Sequence, residues 1–202
     1  MKPWFFIFFI LPLLGFAYVV WHVWQILPLS PSWKGAVVGL MLLSVVCLFS
    51  HFLIGPDSLP LAAGRVVYEV GTSSLFILLY LVMIFLLLDI GRLVRLVPPS
   101  FLHHSVAGSV GILLFVCALF VYANANYRNK QMRTMELHAA RPLSSPMRIV
   151  MLSDMHIGYH NPVKELARWV DMINAESPDV VLIAGDIIDG SMKPLREENM
   201  AA

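Results

Sequence analysis

The stretch IVMLSDMHIGYH, Ile149–His160, begins as a greasy strand and ends in a loop bearing an Asp-x-His pair beside a glycine. Its opening, Met147–Leu152, is a short apolar run rich in β-branched residues. Pro146 and Ser153 bound it, so it reads as a buried strand. Asp154 and His156 follow directly. About thirty residues on, VVLIAGDIIDG repeats the pattern: Asp179–Gly185 reads as a second buried strand, with Asp186 just past its end. Between them, Asn161 is a good N-cap and Pro162 suits a first helical position. Val163, Leu166, Ala167, Val170 and Ile173 then share one face of a helix that Pro178 stops. Strand, helix, strand is a βαβ unit, with a right-handed crossover and two parallel strands expected side by side. Such sheets take ligands at the carboxyl ends of their strands. Asp154, His156 and Asp186 are therefore expected along one edge.

Carboxylate and imidazole without thiolate suit Zn, Mn or Fe(II). Alternation along an extended chain gives Asp154 and His156 a common direction. Gly158 and Gly185 allow close backbone approach or positive φ. Asp186 has two oxygens, enough to bridge two ions about 3.5–4 Å apart. Either motif alone is weak, because an Asp after a strand is often a turn former. The reading rests on their order, each behind an apolar strand with a helix between.

Upstream, the composition changes. The chain has 202 residues, 58% hydrophobic and 13% charged, against roughly 45–50% and about 25% in soluble domains. The excess lies before residue 124. Four stretches, near Trp4–Leu27, Trp33–Ile54, Val70–Leu88 and Ser105–Ala123, approach the ~20 residues that span a bilayer. They predict an all-α, four-helix transmembrane region over residues 1–123. The first is too long and aromatic for a signal peptide, and Pro12 should kink it rather than end it. Lys2, Arg65, Arg128, Lys130, Arg133 and Arg141 fall on one side, and Lys34, Arg92 and Arg95 on the other. This balance favours cytoplasmic termini and a cytoplasmic C-terminal domain.

The polar residues of this region have plain readings. Trp4, Trp21, Trp24 and Trp33 form an aromatic belt. His22 and His51 sit near helix ends, and Asp89 with Arg92 is an i, i+3 boundary pair. His103 and His104 belong to a loop, and Cys47 and Cys117 are small apolar fillers. The region reads as an anchor. Residues 124–146 read as a polar linker. Tyr127–Ala140 would extend the fourth helix until Pro142 and Pro146, with Ser144 and Ser145, break it; His138 would be solvated. The net charge of +1 says nothing about nucleic acid, but no stripe of Lys and Arg with interleaved aromatics appears, so nucleic acid is not an expected partner.

SDMHIG, Ser153–Gly158, followed by GDIIDG, Gly185–Gly190, resembles the first two signature blocks of the calcineurin-like metallophosphoesterases, in the form seen in membrane-anchored bacterial members. The resemblance covers Met147–Gly190. It implies that Asp154 and His156 ligate a first metal and Asp186 bridges two, with Asp189, Gly185 and Gly158 supporting. His160 matches no family position. Two divalent ions, Mn, Fe or Zn, would lower the pKa of a bridging water, and the resulting hydroxide would attack a phosphomonoester or phosphodiester in line. Some relatives hydrolyse UDP-2,3-diacylglucosamine, so a lipid-linked phosphoester at a bacterial inner membrane is one substrate class the resemblance suggests.

The family's later blocks, G-N-H-D/E, a single His and G-H-x-H, do not occur after Gly190. The catalytic His is expected beyond Ala202. Residues 147–202 are thus expected to be the start of a truncated phosphoesterase domain, inactive as it stands, since ~55 residues bury little surface. Two other classes compete. One is a non-catalytic structural or regulatory membrane protein with a phosphoesterase-derived tail. The other is a transporter or channel component, which needs polar groups facing one another inside the spans.

Overall fold

The computed structural model describes residues 4–138 and 144–200. Lys2, Ala139, Ala140, Arg141 and Pro142, used in the orientation and linker readings, lie outside the described residues, as do the side chains of Trp4 and His51. The chain divides into two compact units. One is Met1–Val46 with Thr72–Met132; the other is Cys47–Gly71 with Arg133–Ala202.

The first unit is helical. It draws on α1 (Trp4–Ile26), α2 (Pro31–Leu53), α3 (Leu61–Leu93) and α4 (Val106–Arg128). Among the described residues, three helices are long and apolar enough to cross a membrane: Pro31–Ser50 of α2, all of α3 and all of α4. In α1, Ile10–Ile26 forms a shorter apolar helix. Within this unit Val19, Ile26, Leu78, Phe85 and Leu102 make the buried core, while Leu40, Leu79 and Leu113 stay exposed. Apolar side chains pointing outward along helices of this length suit a hydrocarbon solvent, where they need no protein cover.

The end of α1 is closed by backbone bonds. The amides of His104 and Ser105 donate to the carbonyls of Gln25 and Ile26 at 2.9 and 2.8 Å, satisfying acceptors that a helix end leaves orphaned. The Ser105 side chain caps α4 at the Gly108 amide, 2.9 Å away. Asp89 departs from its expected pairing. Tyr18 donates to it at 2.8 Å and His22 lies at 3.0 Å, whereas Arg92 is not within ion-pair distance. His22 is buried and stacks on Phe85 at 4.5 Å. A buried polar group in a helical bundle takes a fixed partner before an exposed one.

α3 has 33 residues, about 50 Å of helix, against a hydrocarbon core of about 30 Å. The span expected near Val70–Leu88 is bracketed by Arg65 and Glu69 on one side and by Asp89 and Arg92 on the other. The helix runs past both brackets. α4 ends at Arg128 with Asn129 as its C-cap, and residues 130–138 have no regular structure. The expected helical extension to Ala140 therefore stops at Arg128.

The second unit holds β1 (Ile149–Ser153), α5 (Val163–Ala175), β2 (Val180–Ala184) and α6 (Lys193–Glu197). It also takes in the start of α3 and a 3-10 turn, Pro56–Ser58. β1 and β2 pair in parallel, from Ile149 opposite Val180 to Ser153 opposite Ala184, as the βαβ reading expects. α5 begins one residue later than expected, with Pro162 as N-cap and no capping side chain. Its apolar face is not buried, and in the strands only Val150 is. The buried residues gather instead around Met155, Ile157, Tyr159, Asn161, Ser191 and Pro194.

Within this unit α2 and α3 approach at Gly71. A Cβ there would come within 2.8 Å of the Leu48 backbone, which has no freedom to yield as a side-chain tip would. Close helix packing at a small residue is a usual device in membrane proteins. Gly71→Leu is expected to lower the thermal stability of the detergent-solubilised protein by about 1–3 kcal/mol. An unchanged melting temperature would contradict the close approach.

Candidate metal centre

The parallel register decides where the donors stand. The last pair, Ser153 with Ala184, places Asp154 just past β1 and leaves Gly185 between β2 and Asp186. Pairing continues past the strands. The Asp154 amide donates to the Ala184 carbonyl at 3.0 Å, the His156 amide to Asp186 at 3.2 Å and the Ile157 amide to Ile187 at 2.8 Å. Both motif loops are thereby stitched together at the carboxyl edge.

Gly185, at φ +78°, carries the closest approach. A Cβ there would lie 2.2 Å from Asp154 Oδ1 and 2.9 Å from its Cγ. The Asp154 carboxylate thus occupies the space a side chain at 185 would fill, and its Oδ1 accepts from the Asp186 amide at 3.4 Å. The donors themselves adopt unusual backbone. Asp154 has φ 51° and His156 φ 45°, a left-handed region uncommon outside glycine. Such conformations cost about 1–3 kcal/mol each and cluster at functional sites.

Asn161 helps hold that loop. Expected as a helix cap, it is buried and turned inward, with Nδ2 donating to the carbonyls of Met155 at 2.9 Å and His156 at 3.2 Å. Its own carbonyl accepts from the Gly158 amide at 3.1 Å. Gly158 has φ +155° and faces Asp189, whose amide returns a bond to the Ile157 carbonyl at 3.0 Å. The Asp189 Oδ1 lies 3.8 Å from His156 Nδ1. His160 leaves this rim and meets Glu69 at 2.9 Å.

The donors stand as two neighbouring pairs: Asp154 against the Gly185–Asp186 backbone, and His156 against Asp189. Among the described residues, no group of three or more His, Cys, Asp or Glu side chains is gathered tightly enough to hold a metal ion. The residue types still fit a hard or borderline divalent cation. Asp154 and Asp186 are exposed and His156 is half-exposed, open to an ion from solvent. The close seat of Asp154 over Gly185 also needs a residue without Cβ. Asn161, expected as a helix cap, contributes to the loop instead; its polar side chain between a glycine loop and a helix start was the available signal.

Tyr159 is fully buried beneath this loop, with its hydroxyl 3.4 Å from Asp57. Burial first, and the Asp57 carboxylate second, push its ionisation above the ordinary 10.0. A phenol raised in this way stabilises the fold fully below its unfolded pKa and loses that contribution as pH rises through the folded value. Stability is therefore expected to fall above pH ~10 more steeply in the wild type than in Tyr159→Phe, as read by thermal melts across that range. Parallel curves would contradict the buried phenol.

Residues 147–201 match the calcineurin-like phosphoesterase family. Over 85 residues, 42% of the chain, the sequence is 32% identical to an uncharacterized metallophosphoesterase of Campylobacter jejuni, covering 23% of that protein. It is 44% identical over 50 residues, 25% of the chain, to a transmembrane protein with metallophosphoesterase domain from Danio rerio, and 35% over 60 residues, 30% of the chain, to that of Bos taurus. These stretches cover 11% and 14% of the two relatives. The chain thus matches less than a quarter of the length of each of these three. No solved structure matches it. A rim carrying Asp-x-His and Gly-Asp-x-x-Asp, in a chain that also holds helices apolar enough to cross a membrane, agrees with these likenesses, and residues 147–201 are the part that matches the calcineurin-like phosphoesterase family.

Proposed function

We propose that the chain is part of a membrane-anchored phosphoester hydrolase dependent on two divalent ions, Mn, Fe or Zn. Asp154, His156 and Asp186 would hold the metals, with Asp189, Gly185 and Gly158 in support. The observation that carries this reading is the seat of the Asp154 carboxylate over Gly185, within reach of the Asp186 amide. That contact ties the two motifs at one sheet edge. When bound, such ions supply charge neutralisation at phosphoryl oxygens and a nucleophile at neutral pH.

The chain's own residues have separable tasks. Asp154 and Asp186 bring carboxylates to one open rim, where a bound cation would offset their mutual repulsion. His156 offers a neutral imidazole nitrogen, with Asp189 beside Nδ1 to orient the ring. Asn161 keeps the loop in its left-handed turn. In this reading all four N-terminal helices cross the bilayer, both termini are cytoplasmic, and the substrate is a phosphoester near the membrane, including lipid-linked ones.

One observation favours a second reading, a non-catalytic membrane protein: among the described residues the donors form two pairs and no closed set of three. Hydrolysis separates the two. With bis-p-nitrophenyl phosphate and Mn2+, the whole protein is expected to turn over, and Asp186→Asn to lose at least about 100-fold, beyond the 10–100-fold typical of outer-shell losses. Equal rates in the two proteins would remove Asp186 from the chemistry.

A further inference from the structure

The start of α3 also carries side chains that reach the loops of its own unit. Arg65, Tyr68 and Glu69 fall at i, i+3 and i+4, one face of the helix. Each meets the loop after β1 or the turns that follow β2. Arg65 Nε donates to the Tyr159 carbonyl at 3.2 Å and Nη2 to Glu198 at 2.6 Å. Tyr68 stacks on Tyr159 with ring centres 5.5 Å apart. Glu69 meets His160 at 2.9 Å. The 3-10 turn ahead of α3 adds to this contact. Asp57 accepts from Ser191, and Lys193 Nζ donates to the carbonyls of Asp57 and Leu59 at 3.0 and 2.6 Å.

One contact in this set reaches the candidate metal centre. The Tyr68 hydroxyl donates to Asp189 Oδ2. The other oxygen of that carboxylate is 3.8 Å from His156 Nδ1. We propose that Tyr68 is a positioning residue for the candidate metal centre, acting on His156 through Asp189. This rests on the metal-binding reading above.

The physical case is one of rotation. Asp189 has its backbone fixed by the bond to Ile157, which leaves the carboxylate free to turn about its side-chain torsions. The Tyr68 hydroxyl takes one oxygen and so decides where the other points. A carboxylate beside Nδ1 selects the tautomer that leaves Nε2 with its lone pair, the form a metal needs. The stack on Tyr159, itself fully buried, fixes the Tyr68 ring. A residue near the start of α3 would then set the aim of a ligand more than eighty positions later in the chain.

The test uses metal-stripped whole protein in detergent, titrated with Mn2+ and read by the electron paramagnetic resonance signal of the free ion. Tyr68→Phe keeps the ring and its stack and loses only the hydroxyl. It is expected to weaken Mn2+ binding by on the order of ten-fold, at the low end for an outer-shell partner. Asp189→Asn is expected to weaken it at least as much, and the double variant no further, since both act along one path. Arg65→Ala removes docking contacts without touching Asp189 and should bind Mn2+ within about three-fold of wild type, below the outer-shell range. Wild-type affinity in Tyr68→Phe would overturn the proposal while leaving the metal reading intact. So would an equal loss in Arg65→Ala, which would assign the effect to docking in general. A wild-type protein that binds no Mn2+ would overturn both.

Discussion

The register of two parallel strands is the constraint on which the rest depends. With Ser153 opposite Ala184, both chains leave the sheet at the same edge, and their next residues are the candidate donors. A slip of one residue would turn every side chain of one strand to the other face and part Asp154 from Gly185. The bonds beyond the strands, from Asp154 to Ala184 and from His156 to Asp186, lock that register where the sheet itself is only two strands wide.

A rim so built has an energetic signature. Asp154 and His156 are held at positive φ, and Gly185 is pressed against a carboxylate. None of these is the relaxed choice for a turn. They persist because the loop is over-determined: Asn161 grips the carbonyls of Met155 and His156, Gly158 bonds back to Asn161, and Asp189 bonds to Ile157. Strain of this kind, backed by buried hydrogen bonds, marks places where side-chain aim matters more than backbone comfort. The buried heart of this unit accordingly lies under the loop, at Ile157 and Tyr159, rather than between helix and sheet.

Much of this was legible from residues 147–190. Apolar runs of strand length, each closed by a polar residue or glycine, carry a local signal, and the βαβ rule then orders the donors along one edge. The apolar helices were legible for the same reason, since about twenty residues of hydrocarbon need no long-range information. What escaped were tertiary choices. Asn161 looked like a cap because its neighbours are a helix start, and its inward turn depends on the loop it clamps. Arg65 entered only as a charge beside a span and Tyr68 carried no local signal, since their partners lie about ninety or more positions away in sequence. Asp89 looked like a partner for Arg92 because they are close in sequence, yet Tyr18 and His22 on another helix reach it first. Tyr68, Arg65 and Asp89 link parts of the chain distant in sequence, which no local pattern records, whereas Asn161 bonds only a few residues back.

The central claim is that this sheet edge receives a divalent cation. Anomalous diffraction at the Mn edge, from crystals of the whole protein grown with Mn2+, tests it without passing through catalysis. The account predicts a peak at bonding distance, about 2.0–2.3 Å, from oxygen of Asp154 or Asp186 and from a nitrogen of His156. A peak elsewhere on the chain, or none while Asp154 and His156 are well ordered, would contradict it.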